Sequence, residues 1–237
     1  NFKNIELKKI LVKNQNLEIL PANFKKYFNY LTLRKEKTLI FKNSNFFFID
    51  AQGNKVMFSN LNYKEKFTAN KHQIETSGIF AQNKVNVKFL NRFSSKKYLK
   101  INIPDLKQYL DITFDKKSNL SLLSGELKLR FLESLLLLNF EGKEDFKISN
   151  SFLRNKFLNS KLNGKVSFKN NFYFNLNLGI NRIDIRKLLL YYPIFQMGGI
   201  SKKINGKINV TNKNTDSFFG SIKDSKMILI FENGDIK

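Results

Sequence analysis

The chain has 237 residues, 42% of them hydrophobic, with 25 Phe, a single His and no Cys. This much apolar side chain excludes a disordered tail, and the lack of Cys excludes disulfides and thiol chemistry. The formal charge of +23 comes from 42 Lys and Arg against 19 Asp and Glu. Because the Lys residues are spread along the chain among abundant Asn, Ile and Phe, as translation from an AT-rich genome gives, the charge does not mark a nucleic-acid-binding arm.

No apolar run approaches the roughly 18 residues needed to cross a bilayer; the longest are LLLL at 135–138 and LLLYYPIF at 188–195. There is no initiating Met and no signal peptide, and the last residues are FENGDIK. The sequence is therefore read as a fragment of one continuous assembly, truncated at both ends, with any membrane anchor outside it.

Taken in chain order, the first element is a helix over 21–31. Pro21 sits at a first helical position, and Phe24, Tyr27, Phe28 and Leu31 fall at i, i+3, i+4 and i+7. His72, in ANKHQIET, is placed on the polar side of a strand and not as a catalytic base or metal ligand. PDLKQYL at 104–110 is a second short helix. Gly125 is followed by Leu127 and Leu129, Gly164 by Val166 and Phe168, and Gly206 by Ile208 and Val210, each as Gly-x-apolar-x-apolar.

These glycines are 39 and 42 residues apart, and INIPDLKQY from Ile101 matches IDIRKLLLY from Ile183 at a distance of 82. The period of about 41 suggests units at 78–124, 125–163, 164–205 and 206–237. Between 161 and 185 the alternation is sustained. Val166, Phe168, Phe172, Phe174, Leu176, Leu178 and Ile180 share one face, with Lys165, Ser167, Tyr173, Asn175 and Asn177 on the other. Phe168 must then be the cross-strand partner of Phe172, with Lys169, Asn170 and Asn171 as the loop; a two-residue loop would turn one strand's apolar set to the wrong face. RKLLLYY at 186–192 is a third short helix, ended by Pro193, and Gly198 with Gly199 marks a break.

Catalytic chemistry has little to work with. One His and no Cys cannot assemble the common zinc sites. Glu141, Glu144, Asp145, Asp184 and Asp235 show no spacing that implies paired acid and base roles. Neither GxGxxG nor the phosphate-cradling GxxxxGK[ST] occurs, and Gly164 and Gly206, each in Asn-Gly-Lys, read as turn punctuation. No enzyme activity and no cofactor are expected. What needs explaining is the aromatic stripe, which is either the core of a closed β-sandwich or the lining of an open trough covered by something other than protein.

SKLNGKVSFKNNFYFNLNLGINRIDIRKLLL, 160–190, resembles the repeating unit of the AsmA-like family of bacterial envelope proteins: a Gly-led strand, a polar turn, a long alternating strand, and an apolar-Asp-apolar step into a Leu-rich helix. Ile183, Asp184, Ile185 and Leu188 to Leu190 carry that last step. KINGKINVTNKNTDSFFGSIKDSKMILIFENGDIK, 203–237, is similar to the unit that follows, and FFFIDAQGNKVMFSNLNYKEKF with IETSGIFAQNKVNVKF fits the same style more loosely.

The resemblance implies a mainly β protein, an elongated, twisted antiparallel sheet forming a groove with a few short helices. It implies a periplasmic location in a Gram-negative bacterium with an inner-membrane anchor outside this fragment. It also implies phospholipid acyl chains as ligand, conducted between the inner and outer membranes in support of outer-membrane assembly, with other envelope proteins as further partners. The expected groove lining is Leu127, Leu129, Val166, Phe168, Phe172, Phe174, Leu176, Leu178, Ile180, Ile208 and Val210. A β-sandwich adhesion or scaffold module is the first alternative, and a basic nucleic-acid-binding β protein the second.

Overall fold

The computed structural model describes residues 9–19, 37–49, 55–92, 97–115, 122–131, 133–168, 172–184, 187, 205–217, 220–233 and 235–236. Nearly all of these lie in strands, and the chain divides into two compact units, residues 1–116 and 117–237.

In the first unit β1 (Lys9–Lys13) and β2 (Asn16–Ile19) both run parallel to β3 (Lys37–Ile49). The ladder then continues antiparallel in chain order through β4 (Lys55–Thr68), β5 (Lys71–Phe80), β6 (Asn83–Arg92), β7 (Lys97–Ile103) and β8 (Gln108–Phe114). Short turns suffice for such pairs; at the β5–β6 turn Ala81 and Gln82 both have positive φ, the conformation that matches the twist of a hairpin.

The second unit is built from β9 (Leu123–Phe131), β10 (Ser134–Gly142), β11 (Asp145–Arg154), β12 (Leu158–Ser167) and β13 (Tyr173–Asp184), antiparallel in sequence. β14 (Asn205–Ser217) pairs parallel with β13, and β15 (Gly220–Glu232) returns antiparallel. β16 (Asp235–Ile236) covers only the Phe231 and Glu232 end of β15. The deepest apolar cluster is Leu158, Ile180, Ile183 and Val210, with Leu178, Ile208 and Leu229 packed against it. In both units the extensive contacts of each described strand are with its ladder neighbours, to which it is joined edge to edge by hydrogen bonds.

Strands of 10 to 14 residues keep one face apolar here because bulges reset their phase. Three of these bulges carry an Asn in the left-handed region: Asn43 in β3, Asn60 in β4 and Asn150 in β11, with φ of 48°, 50° and 47°. The residue after each Asn swings back to the buried side, and Ser44, Leu61 and Ser151 are 0%, 3% and 3% exposed. The two serines repair the ladder in the same way. Ser44 Oγ donates to Lys42 O and accepts from Gln15 N, while Ser151 Oγ donates to Ser149 O and accepts from Asn139 N. At the β12–β13 bulge Ser160 Oγ likewise donates to Leu153 O at 2.8 Å and accepts from Leu153 N at 3.3 Å.

Several sequence expectations are corrected. The sheet is not wholly antiparallel: β1, β2 and β14 make parallel pairs, reached through residues 20–36 and 185–204. The helix expected at 104–110 is a single 3-10 turn at Pro104–Leu106. Lys107 takes a left-handed φ of 50°, and from Gln108 the chain is strand, with Leu110 and Ile112 opposite Ile101 and Leu99. The helix at 21–31 lies outside the described residues, as does that at 186–192 except for Lys187, which is helical. The strand order of the described residues does not confirm an internal period of about 40 residues.

Gly164 and Gly206 are strand residues and not turn punctuation. A Cβ on Gly206 would lie 2.4 Å from Phe174 O and 2.7 Å from the Phe174 ring, and one on Gly164, at φ 142°, would lie 2.2 Å from Asn175 O. The Phe168–Phe172 hairpin register holds, with Ser167 opposite Tyr173 and Val166 opposite Phe174; the loop at 169–171 lies outside the described residues. Gly206→Ala is expected to destabilise the protein by about 2 kcal/mol or more, through forced displacement of packed backbone and ring. Gly179→Ala, whose Cβ would meet nothing closer than Thr211 Oγ1 at 3.8 Å, is expected to be near neutral. Urea denaturation of both variants checks this, and equal losses would show that the room beside Phe174 does not matter.

Candidate functional site

All eleven residues expected to line a groove fall on one face of the second unit. Leu127 and Leu129 lie opposite Leu138 and Leu136, Val166 between Phe146 and Phe174, Leu176 beside Gly164 and Ile208, and Leu178 beside Leu162 and Val210. Ile180 is flanked by Ser160 and Asn212, so polar groups enter this face where the bulges cross it. Phe174, Ile180 and Val210 are buried, whereas Phe168 is 59% exposed.

The sequence reading missed the rest of the aromatic set. Phe140, Phe146, Phe168, Phe172, Phe174 and Phe231 form an unbroken row, with successive ring centroids 6.1, 5.9, 5.2, 6.0 and 5.2 Å apart. The contacts are edge-to-face or tilted, the arrangements that the ring quadrupole favours. Glycines lie beside three of its members, and one of them stands between two rings. Gly125 is opposite Phe140, Gly142 opposite Phe146, and Gly206 separates Phe174 from Phe231, so the Phe174 ring reaches across a whole strand to its next neighbour. The Leu run at 135–138 hides the alternation of β10, which is why Phe140 went unassigned.

On the opposite face Asn177 Nδ2 donates to Asn163 Oδ1 at 3.2 Å and Asn209 Nδ2 donates to Asn177 Oδ1 at 3.0 Å, an amide ladder across β12, β13 and β14. Lys147 and Lys165 stand directly opposite one another on that face. One face of the unit is thus aromatic and aliphatic, while the other mixes amides and ammonium groups with Leu135, Leu137, Phe152, Ile228 and Ile230.

In the first unit His72 is not on the polar side of its strand. It faces the same way as Phe67, its partner across the ladder, and is buried with its ring 5.2 Å from that of Phe67 and 5.7 Å from that of Phe89. Its Nε2 lies 2.9 Å from Oε1 of Glu65, a side chain with no exposed surface, whose Oε2 accepts from the Tyr63 hydroxyl at 3.2 Å. The pair is sealed from substrate, so its role is to fix the register of β4 against β5. Alternation could have placed His72 correctly: counted from Ile74, it falls in phase with the apolar residues.

Among the described residues no group of three or more His, Asp or Glu could hold a metal ion, and no helix is long and apolar enough to cross a membrane. Removing one member of a buried, hydrogen-bonded pair is strongly destabilising. His72→Ala is accordingly expected to cost about 3 kcal/mol by urea denaturation; an unchanged midpoint would show that the pair adds nothing to the fold. Comparison of the chain with protein families, with curated proteins and with solved structures gave no match.

Proposed function

We propose that this chain is part of a non-catalytic, AsmA-like envelope protein whose apolar sheet face binds phospholipid acyl chains and conducts them between the inner and outer membranes. The observation that carries this reading is the aromatic row of the second unit. It runs from β10 to β15 across one hydrogen-bonded ladder, and Phe168 and Met227 on that face are more than half exposed. Exposed apolar patches beyond a few hundred Å² are rare on soluble monomers unless something binds there. A row of rings with flat faces and no directional polar demand suits a methylene chain, which gains about 0.8 kcal/mol for each CH₂ removed from water. A chain lying along such a row needs no specific pocket, so it can slide. The β-sandwich alternative requires a second sheet over this face, which would cover Phe168, and that residue is 59% exposed.

The sequence suggests Phe174 as the diagnostic residue, but at 7% exposure an aspartate there would disrupt the fold whatever the face binds. Phe168 is the better probe. The purified chain is expected to carry phospholipid detectable by mass spectrometry of its organic extract. Phe168→Asp is expected to lose at least about four-fifths of it while keeping the wild-type circular dichroism spectrum, since an acyl chain cannot solvate a carboxylate. Lipid-free wild-type protein, or a folded Phe168→Asp variant that keeps its lipid, would rule the reading out.

A further inference from the structure

The first unit contains a cavity of about 620 Å³. It is an open concavity, lined by two cross-strand rows on the polar face and by Ile40 and Phe41 of β3. One runs from Lys64 on β4 through Glu75 and Lys88 to Lys100 on β7; the other runs from Asn62 through Ser77 and Asn86 to Asn102, with Lys42 at its β3 end. Between the rows the strands present backbone, because alternation sends Tyr63, Thr76 and Val87 to the opposite side.

Four ammonium groups therefore meet one carboxylate. That carboxylate is already engaged: Glu75 accepts from Lys88 at 2.9 Å and from Gln73 at 3.0 Å, and the Lys88 bond holds its pKa below the usual glutamate value. Lys100 is 3.7 Å from Asp111, and among the described residues Lys42 and Lys64 have no carboxylate within ion-pair distance. Lys88 stands directly opposite Lys100, a like-charge pairing that weakens a ladder unless an anion lies over it. The second row adds amide and hydroxyl groups, and Asn102 Oδ1 is buried there without a hydrogen-bond partner among the described residues. A site with excess cationic donors and one unused acceptor matches a ligand that is anionic and also carries a hydroxyl.

We propose that this cavity binds a hydroxylated phosphate ester, the chemistry shared by free polyol or sugar phosphates and by the glycerophosphoryl headgroup of an anionic lipid. The cavity lies in the other unit from the aromatic row, so the proposal does not rest on the acyl-chain reading and can fail separately from it.

Calorimetric titration of the full chain with glycerol 3-phosphate, with inorganic phosphate as the comparison, tests it. Saturable binding is expected, tighter for glycerol 3-phosphate. Lys42→Gln and Lys64→Gln should each weaken binding about tenfold, the value of one charge-assisted hydrogen bond. Glu75→Gln should tighten it severalfold by freeing Lys88, a reversal of sign that loss of folding cannot imitate. Asn102→Ala should erase the preference over inorganic phosphate.

Cosedimentation with phosphatidylcholine vesicles, with and without phosphatidylglycerol, separates the sources: binding there through the same lysines without binding of free glycerol 3-phosphate would assign the headgroup to a lipid. Absence of binding in both arms would overturn the proposal. So would binding that Lys165→Gln in the second unit weakens as much as Lys64→Gln does, since that would reflect net charge alone.

Discussion

Everything distinctive about this molecule depends on holding side-chain phase along strands much longer than average. A β-strand alternates strictly, so one unmatched residue exchanges its faces. Here the exchange is anticipated. Where β3, β4 and β11 would drift, an Asn takes the left-handed conformation that its short polar side chain tolerates, and the next residue returns to the buried side. The backbone groups left over at such a site would be expensive if orphaned, and the Ser44, Ser151 and Ser160 hydroxyls take them up. A serine with no exposed surface in an otherwise apolar layer is therefore a ladder component.

The aromatic row of the second unit is the consequence at the level of the surface. Phase correction brings Ile180 and Ile183 of β13 to one side despite the odd spacing between them, and Gly206 leaves space for the ring of Phe174 on the adjacent strand. A phenylalanine beside another large side chain would have to stand upright; beside a glycine it can lie over the backbone and touch the next ring. A residue that looks like punctuation in the sequence thus sets ring spacing across β14. The opposite face, meanwhile, carries the Asn163–Asn177–Asn209 ladder and lysines.

The hairpin at 161–180 was legible because an uninterrupted alternation admits one register, and the eleven groove residues were placed on one face for the same reason. Other features were hidden for physical causes. Asn-Ser within a strand reads as a break in pattern unless the bulge is recognised, so Asn43-Ser44 and Asn150-Ser151 carried no signal. PDLKQYL contains a valid helix start at Pro104, but Lys107 in the left-handed region ends it after one turn, and no residue-level propensity announces that. The parallel pairing of β13 with β14 is decided by where the chain between them leads, which alternation does not encode. Phe231, two strands from Phe174 and joined to it only across Gly206, is likewise a product of topology.

The strand order also has a kinetic side. Most strands pair with the strand next in sequence, so their contacts close over short loops and form early at small entropic cost. The β13–β14 pairing is different: Tyr173 meets Asn205 and Asp184 meets Asp216 only after the intervening chain has been carried back the length of the strand. The β14–β15 hairpin can form by itself, then waits for that longer closure. Until it docks, Phe174, Leu176 and Leu178 lack the neighbours they have on β14, so the aromatic face of the second unit is completed by its longest-range pairing.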